Sequence, residues 1–114
     1  AVLLITHDLG VVSQYCDRVA VMYGGRLVES AAAGSLFAQP RHRYTQALLA
    51  TIPAANPPGT ELPAIQGTVP PPGQRPDGCA FHPRCAFATD RCRTELPPFV
   101  DTNPGHSVAC WNPA

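Results

Sequence analysis

The sequence predicts an α/β fragment followed by a proline-rich, mostly irregular, cysteine-rich extension, and three observations carry that prediction. An apolar run at Val2–Ile5 leads into Thr6, His7 and Asp8 and reads as a strand covered on both faces, as in a parallel sheet. Helical and strand-like periodicities then follow one another as far as residue 52. Beyond that point prolines crowd the chain, and four of the five cysteines gather after residue 78. The Val2–Ile5 strand has no sheet neighbour ahead of it, so its partners are expected from residues outside this sequence. The fragment is therefore expected to be the C-terminal piece of a larger α/β protein.

The elements can be taken in order. Leu9, Val12, Cys16 and Val19 recur at helical spacing, which predicts a short amphipathic helix over roughly 9–16. Asp8 stands where an N-cap belongs and suits the positive end of the helix dipole. Arg18–Tyr23 and Arg26–Glu29 are two strand-like runs joined by Gly24-Gly25, a two-residue loop of hairpin type. A second helix is expected over roughly 42–52, with Tyr44, Ala47, Leu48 and Thr51 on one side and Pro40 just before it. Residues 53–78 carry Pro53, Pro57, Pro58, Pro63, Pro70, Pro71, Pro72 and Pro76 with little periodicity and read as a stiffened, extended connector. Residues 79–114 show no convincing amphipathic element. A segment of fewer than about 40 residues usually needs disulfides, metals or a partner to order itself. The expected domains are thus 1–52, 53–78 and 79–114.

Composition excludes several functions. The eight basic residues, all arginine, balance eight acidic ones, so no basic excess points to nucleic acid. Lysine is absent, which excludes a complete Gly-x-x-x-x-Gly-Lys-Ser/Thr phosphate loop within these residues. No apolar run reaches the ~18 residues that span a bilayer, and no basic-then-apolar signal peptide is visible. The expectation is a soluble, intracellular piece without a membrane span of its own.

Cys79, Cys85, Cys92 and Cys110 have the spacing C-x5-C-x6-C-x17-C. Four thiolates meeting at one place can hold a tetrahedral zinc or an iron–sulfur cluster. Two disulfides, or four small core residues, fit the same spacing, although disulfides are disfavoured in a reducing compartment. The lack of a C-x2-C knuckle favours a cluster over structural zinc.

The residues around this quartet carry a resemblance. They are Leu62-Pro63-Ala64-Ile65 with Gly67, Val69 and Pro70; Gly78–Cys85; Asp90–Arg93; Pro97-Pro98; and Gly105-His106 with Val108–Trp111. Upstream stand Ile5–Val12, Cys16–Tyr23, Phe37 with Pro40, His42, Tyr44 and Thr45, then Leu48-Leu49 and Ile52-Pro53. Together they resemble the C-terminal part of ATP-binding subunits of bacterial dipeptide/oligopeptide ABC importers. The likeness covers essentially the whole chain. It implies that residues 1–52 are the end of an ABC-type nucleotide-binding domain, and that Cys79, Cys85, Cys92 and Cys110 ligate a [4Fe-4S] cluster, with Zn2+ as the alternative occupant. Arg43 departs from the family pattern, which has proline there, and Ala31 stands where glycine is usual. Both bear on local turns only.

An imidazole at the carboxyl end of a strand lies where α/β folds place their ligands. It can donate to a phosphate oxygen or polarise water, or simply cap the next helix. The resemblance makes His7 the switch histidine, catalytic and in contact with the γ-phosphate of MgATP. Cys16 is expected to be a core residue and His42 a turn residue. His82 and His106 are expected to support the cysteines, Trp111 to cover them, and Arg84, Arg91 and Arg93 to meet solvent or a partner, or to compensate a cluster's charge. The resemblance further implies a second ABC ATPase subunit and transmembrane permease subunits as partners, at the cytoplasmic face of the membrane. The 114 residues alone are expected not to hydrolyse ATP; the parent subunit is. The alternative is a stand-alone cysteine-rich metal-binding, assembly or regulatory module.

Overall fold

A four-stranded antiparallel sheet organises the chain, and its strands come from both ends of the sequence. The computed structural model describes residues 1–52 and 56–114; Pro53, at the start of the expected connector, lies outside the described residues. Helix α1 spans Leu9–Tyr15, and the Asp8 carboxylate caps it by accepting from the N–H groups of Gly10 and Val11 at 3.0 and 3.2 Å. Strands β1 (Arg18–Tyr23) and β2 (Arg26–Ala32) form the expected hairpin. Gly24 and Gly25 both have positive φ, 60° and 82°, the backbone that a two-residue turn matched to strand twist requires.

Along β1 the side chains alternate: Val19, Val21 and Tyr23 face inward, while Arg18, Ala20 and Met22 face out. On β2 the alternation breaks. Val21 pairs with Glu29 but Met22 pairs with Leu27, so Val28 is an extra residue in a β-bulge. Bulges re-aim side chains, and here Val28 and Glu29 are both buried.

Helix α2 (Ala33–Ala38) follows at once, held by Leu36 in the core and by Ala33 N–H donating to the Asp17 carbonyl at 2.9 Å. Helix α3 (Arg43–Ala50) is the expected second helix, shorter at its end. The extension then supplies a 3-10 turn at His82–Arg84, helix α4 (Asp90–Thr94), and strands β3 (Val100–Asn103) and β4 (His106–Val108). Sheet order is β1-β2-β4-β3. Glu29 faces Val108 and Ser30 faces Ser107 across the β2–β4 seam.

Two expectations are corrected. Val2–Ile5 forms no strand: Val2 is 94% and Ile5 89% exposed. No strand among the described residues pairs with it, and a strand persists through its ladder of hydrogen bonds. The extension is also less irregular than its composition predicts, because β4 finds a ladder on β2 that its own sequence cannot announce. Its main apolar anchor is Phe81, 3% exposed. This ring lies 5.2 Å from Tyr23 and 5.3 Å from Tyr44, with the two tyrosines 4.7 Å apart. Edge-to-face clusters of this kind add to plain area burial. Val21, Val28, Ala31 and Leu36 complete the core.

Candidate functional site

Beside Phe81 the structure brings the four cysteines of the quartet together. Cys79, Cys85, Cys92 and Cys110 wall one cavity with His42, Arg43, His82, Phe87 and Trp111. Each cysteine is delivered by a different local device. Gly78 has φ 71°, and a Cβ there would run into the Cys92 carbonyl oxygen. That carbonyl accepts the Cys79 N–H at 2.8 Å, so the absence of a side chain at 78 is what lets the two cysteine segments touch. The 3-10 turn sets Cys85, whose N–H donates to the His82 carbonyl at 3.2 Å. Cys92 lies in α4 and its sulfur contacts Thr89 Oγ1 at 3.3 Å. Cys110 follows β4, and the Asn112 N–H donates to its sulfur at 3.3 Å.

The electrostatics are those of half-buried thiols with built-in donors. Burial pushes the Cys79, Cys85 and Cys110 thiols up, and the other quartet sulfurs push the same way. Against this, the backbone N–H groups of Phe81, Phe87 and Asn112 favour the thiolates of Cys79, Cys85 and Cys110 respectively. The Arg43 charge also favours the Cys85 thiolate. N–H groups aimed at sulfur are what a thiolate ligand set uses to spread its charge. All five cysteines are free, so the disulfide alternative is not formed.

A preformed ion site is not seen. Among the described residues no group of three or more Cys, His, Asp or Glu side chains is arranged to hold a metal ion. The four expected ligands, Cys79, Cys85, Cys92 and Cys110, border this common space.

The other expected residues fall into place around this cavity or away from it. His7 is exposed, in a bend just ahead of the Asp8 cap, and is not part of the cavity wall. Cys16 is the half-buried C-cap of α1, its N–H donating to the Val12 carbonyl. His82 borders the cavity, and burial, aided by Arg93, lowers its pKa. Trp111 covers the site as expected, its indole N–H donating to the Glu95 carbonyl at 2.8 Å and Arg91 stacking 3.5 Å from its ring centre. Arg84 ties Gln66 and Tyr23 together, donating at 2.8 and 3.1 Å. Arg93 makes an exposed pair with Asp90.

One group was missed. Glu29, fully buried, accepts from the Arg41 N–H at 2.8 Å and the His42 N–H at 2.9 Å, and its carboxylate meets His106 Nε2 at 2.5 Å. It joins the hairpin, the start of α3 and strand β4. His42 caps α3 by accepting the Tyr44 N–H on Nδ1 at 3.0 Å, while its Nε2 has no hydrogen-bond partner among the described residues. Burial lowers the His42 pKa to about 4 against the pull of Glu29. The bulge at Val28 was the missing signal, because strict alternation puts Glu29 on the wrong face.

The model of the family described as oligopeptide/dipeptide transporter, C-terminal region, matches residues 28–92. The chain is 50% identical over 111 residues to "Probable peptide ABC transporter ATP-binding protein y4tS" of Sinorhizobium fredii, covering 96% of this chain and 31% of that protein. It is 48% identical over 111 residues to "Oligopeptide transport ATP-binding protein AppD" of Bacillus subtilis, covering 97% and 34%. The chain thus spans about a third of the length of the curated relatives it matches.

Proposed function

The chain belongs to the oligopeptide/dipeptide transporter C-terminal-region family, and from that premise we propose that it serves as part of an ATP-hydrolysing subunit that powers peptide import. The observation that carries this reading is the match of nearly all of this chain to about a third of two proteins named as peptide or oligopeptide transport ATP-binding proteins. The active unit would pair with a second ATPase subunit and act on transmembrane permease subunits from the cytoplasmic side. No helix among the described residues is long and apolar enough to cross a membrane. ATP and Mg2+ would be held mostly by residues outside this chain. His7 would contribute one hydrogen bond to the γ-phosphate as charge shifts in the transition state.

The quartet is proposed to hold a [4Fe-4S] cluster. Cys79, Cys85, Cys92 and Cys110 would be the ligands, and the donor set fits: four free thiols at one cavity, three of them facing backbone N–H groups. Such a cluster would supply cross-linking of the extension and, where reducible, one-electron chemistry.

The test is MgATP turnover by the subunit that carries this chain. His7→Ala is expected to lower turnover about 100-fold or more, as loss of a transition-state donor can, while ATP binding is retained. Unchanged turnover would remove His7 from the chemistry.

A further inference from the structure

Arg43 lies on the first turn of α3 and borders the cysteine cavity. Its Nε donates to the Asn112 carbonyl at 2.9 Å, Nη2 to the Pro113 carbonyl at 3.4 Å, and Nη1 to Gln46 Oε1 at 3.2 Å. The guanidinium lies 3.9 Å from the centre of the Phe87 ring. Asn112 in turn donates its backbone N–H to the Cys110 sulfur and its side-chain Nδ2 to the Phe87 carbonyl. One side chain thereby reaches the arm that bears Cys110 and the aromatic ring two residues after Cys85. Arg41 adds a second tie nearby, exchanging hydrogen bonds with Ala114.

We propose that Arg43 is a positioning residue of the quartet: it fastens the Cys110–Pro113 arm to helix α3 and keeps a permanent positive charge beside the sulfurs. This rests on the cluster reading above for its charge role, and on the metal-free geometry for its clip role. A planar fork that donates to two carbonyls and stacks on an aromatic face is arginine chemistry that lysine does not reproduce. A fixed cation beside the site favours whichever state carries more negative charge. One-electron reduction of a cluster adds one negative charge, so Arg43 raises the reduction potential.

The experiment uses the full ATP-binding subunit with Arg43→Gln, Arg43→Lys and, as a surface control, Arg26→Gln at an exposed position of β2. In metal-free protein kept reduced, amide exchange across residues 110–112 is expected to quicken roughly 10-fold in both Arg43 variants, the scale of losing charged hydrogen bonds. The control is expected to match wild type. Equal exchange in wild type and Arg43→Gln would overturn the clip. After anaerobic reconstitution with iron and sulfide, Arg43→Gln is expected to shift the midpoint potential negative and Arg43→Lys to restore it; an unshifted Arg43→Gln overturns the charge role. Wild type that takes up no iron and sulfide overturns that role together with the cluster reading, and the exchange data still decide the clip.

Discussion

His42 shows how one buried base couples to acidity. Its ring is fully buried, and burial holds its pKa near 4 instead of 6.5. A base depressed in the folded state contributes stability above its unfolded pKa and loses it as pH falls through the folded value. The chain should therefore lose roughly 3 kcal/mol between pH 6.5 and about 4 from this residue. His42→Asn keeps an N-cap acceptor and should flatten that part of the profile in urea titrations; an unchanged slope would assign the acid sensitivity elsewhere. Glu29 is the companion case. Glu29→Ala strands two backbone N–H groups and His106 in a buried site, and should cost about 3 kcal/mol or more in the same titration. A loss under about 1 kcal/mol would mean that water replaces the carboxylate.

At the level of elements, legibility followed the range of the interactions. The hairpin, the Asp8 cap and helix α3 rest on neighbours in sequence: Gly24-Gly25, Asp8 before Leu9, His42 before Arg43. Those were readable. Strand β4 depends on β2, far earlier in the chain, through Glu29↔Val108, and Phe81 depends on Tyr23 and Tyr44. No periodicity encodes such partners. The quartet was legible as a spacing, but the backbone donors that face its sulfurs, and the arginine beside it, emerge only from the fold. Phe81→Ala is expected to destabilise the chain by about 3–5 kcal/mol, as large-to-small core changes do, and to free the cysteine segment as well. Limited proteolysis should then cut within 79–92 first. Gly78→Ala should loosen the same segment without removing any core side chain, since its Cβ collides with backbone at Cys92–Thr94. Wild-type proteolytic resistance in Gly78→Ala would contradict the close approach.

Taken as a whole, the molecule is a hairpin and helix pair onto which a cysteine-bearing extension is fastened. The sheet seam, the Phe81 cluster, the Glu29–His106 contact and the Arg43 clip all cross that join. Such an arrangement makes the state of the quartet a matter for the whole chain, because energy released by ligand binding to thiolates is folding energy for the elements that carry them. The most direct test is iron and acid-labile sulfide per chain after anaerobic purification of the subunit, alongside serine variants of each cysteine. The account predicts about four irons and about four sulfides in wild type, most of both lost with Ser at 79, 85, 92 or 110, and no loss with Cys16→Ser. About one zinc per chain with no acid-labile sulfide, or full iron after substitution of a quartet cysteine, would contradict it.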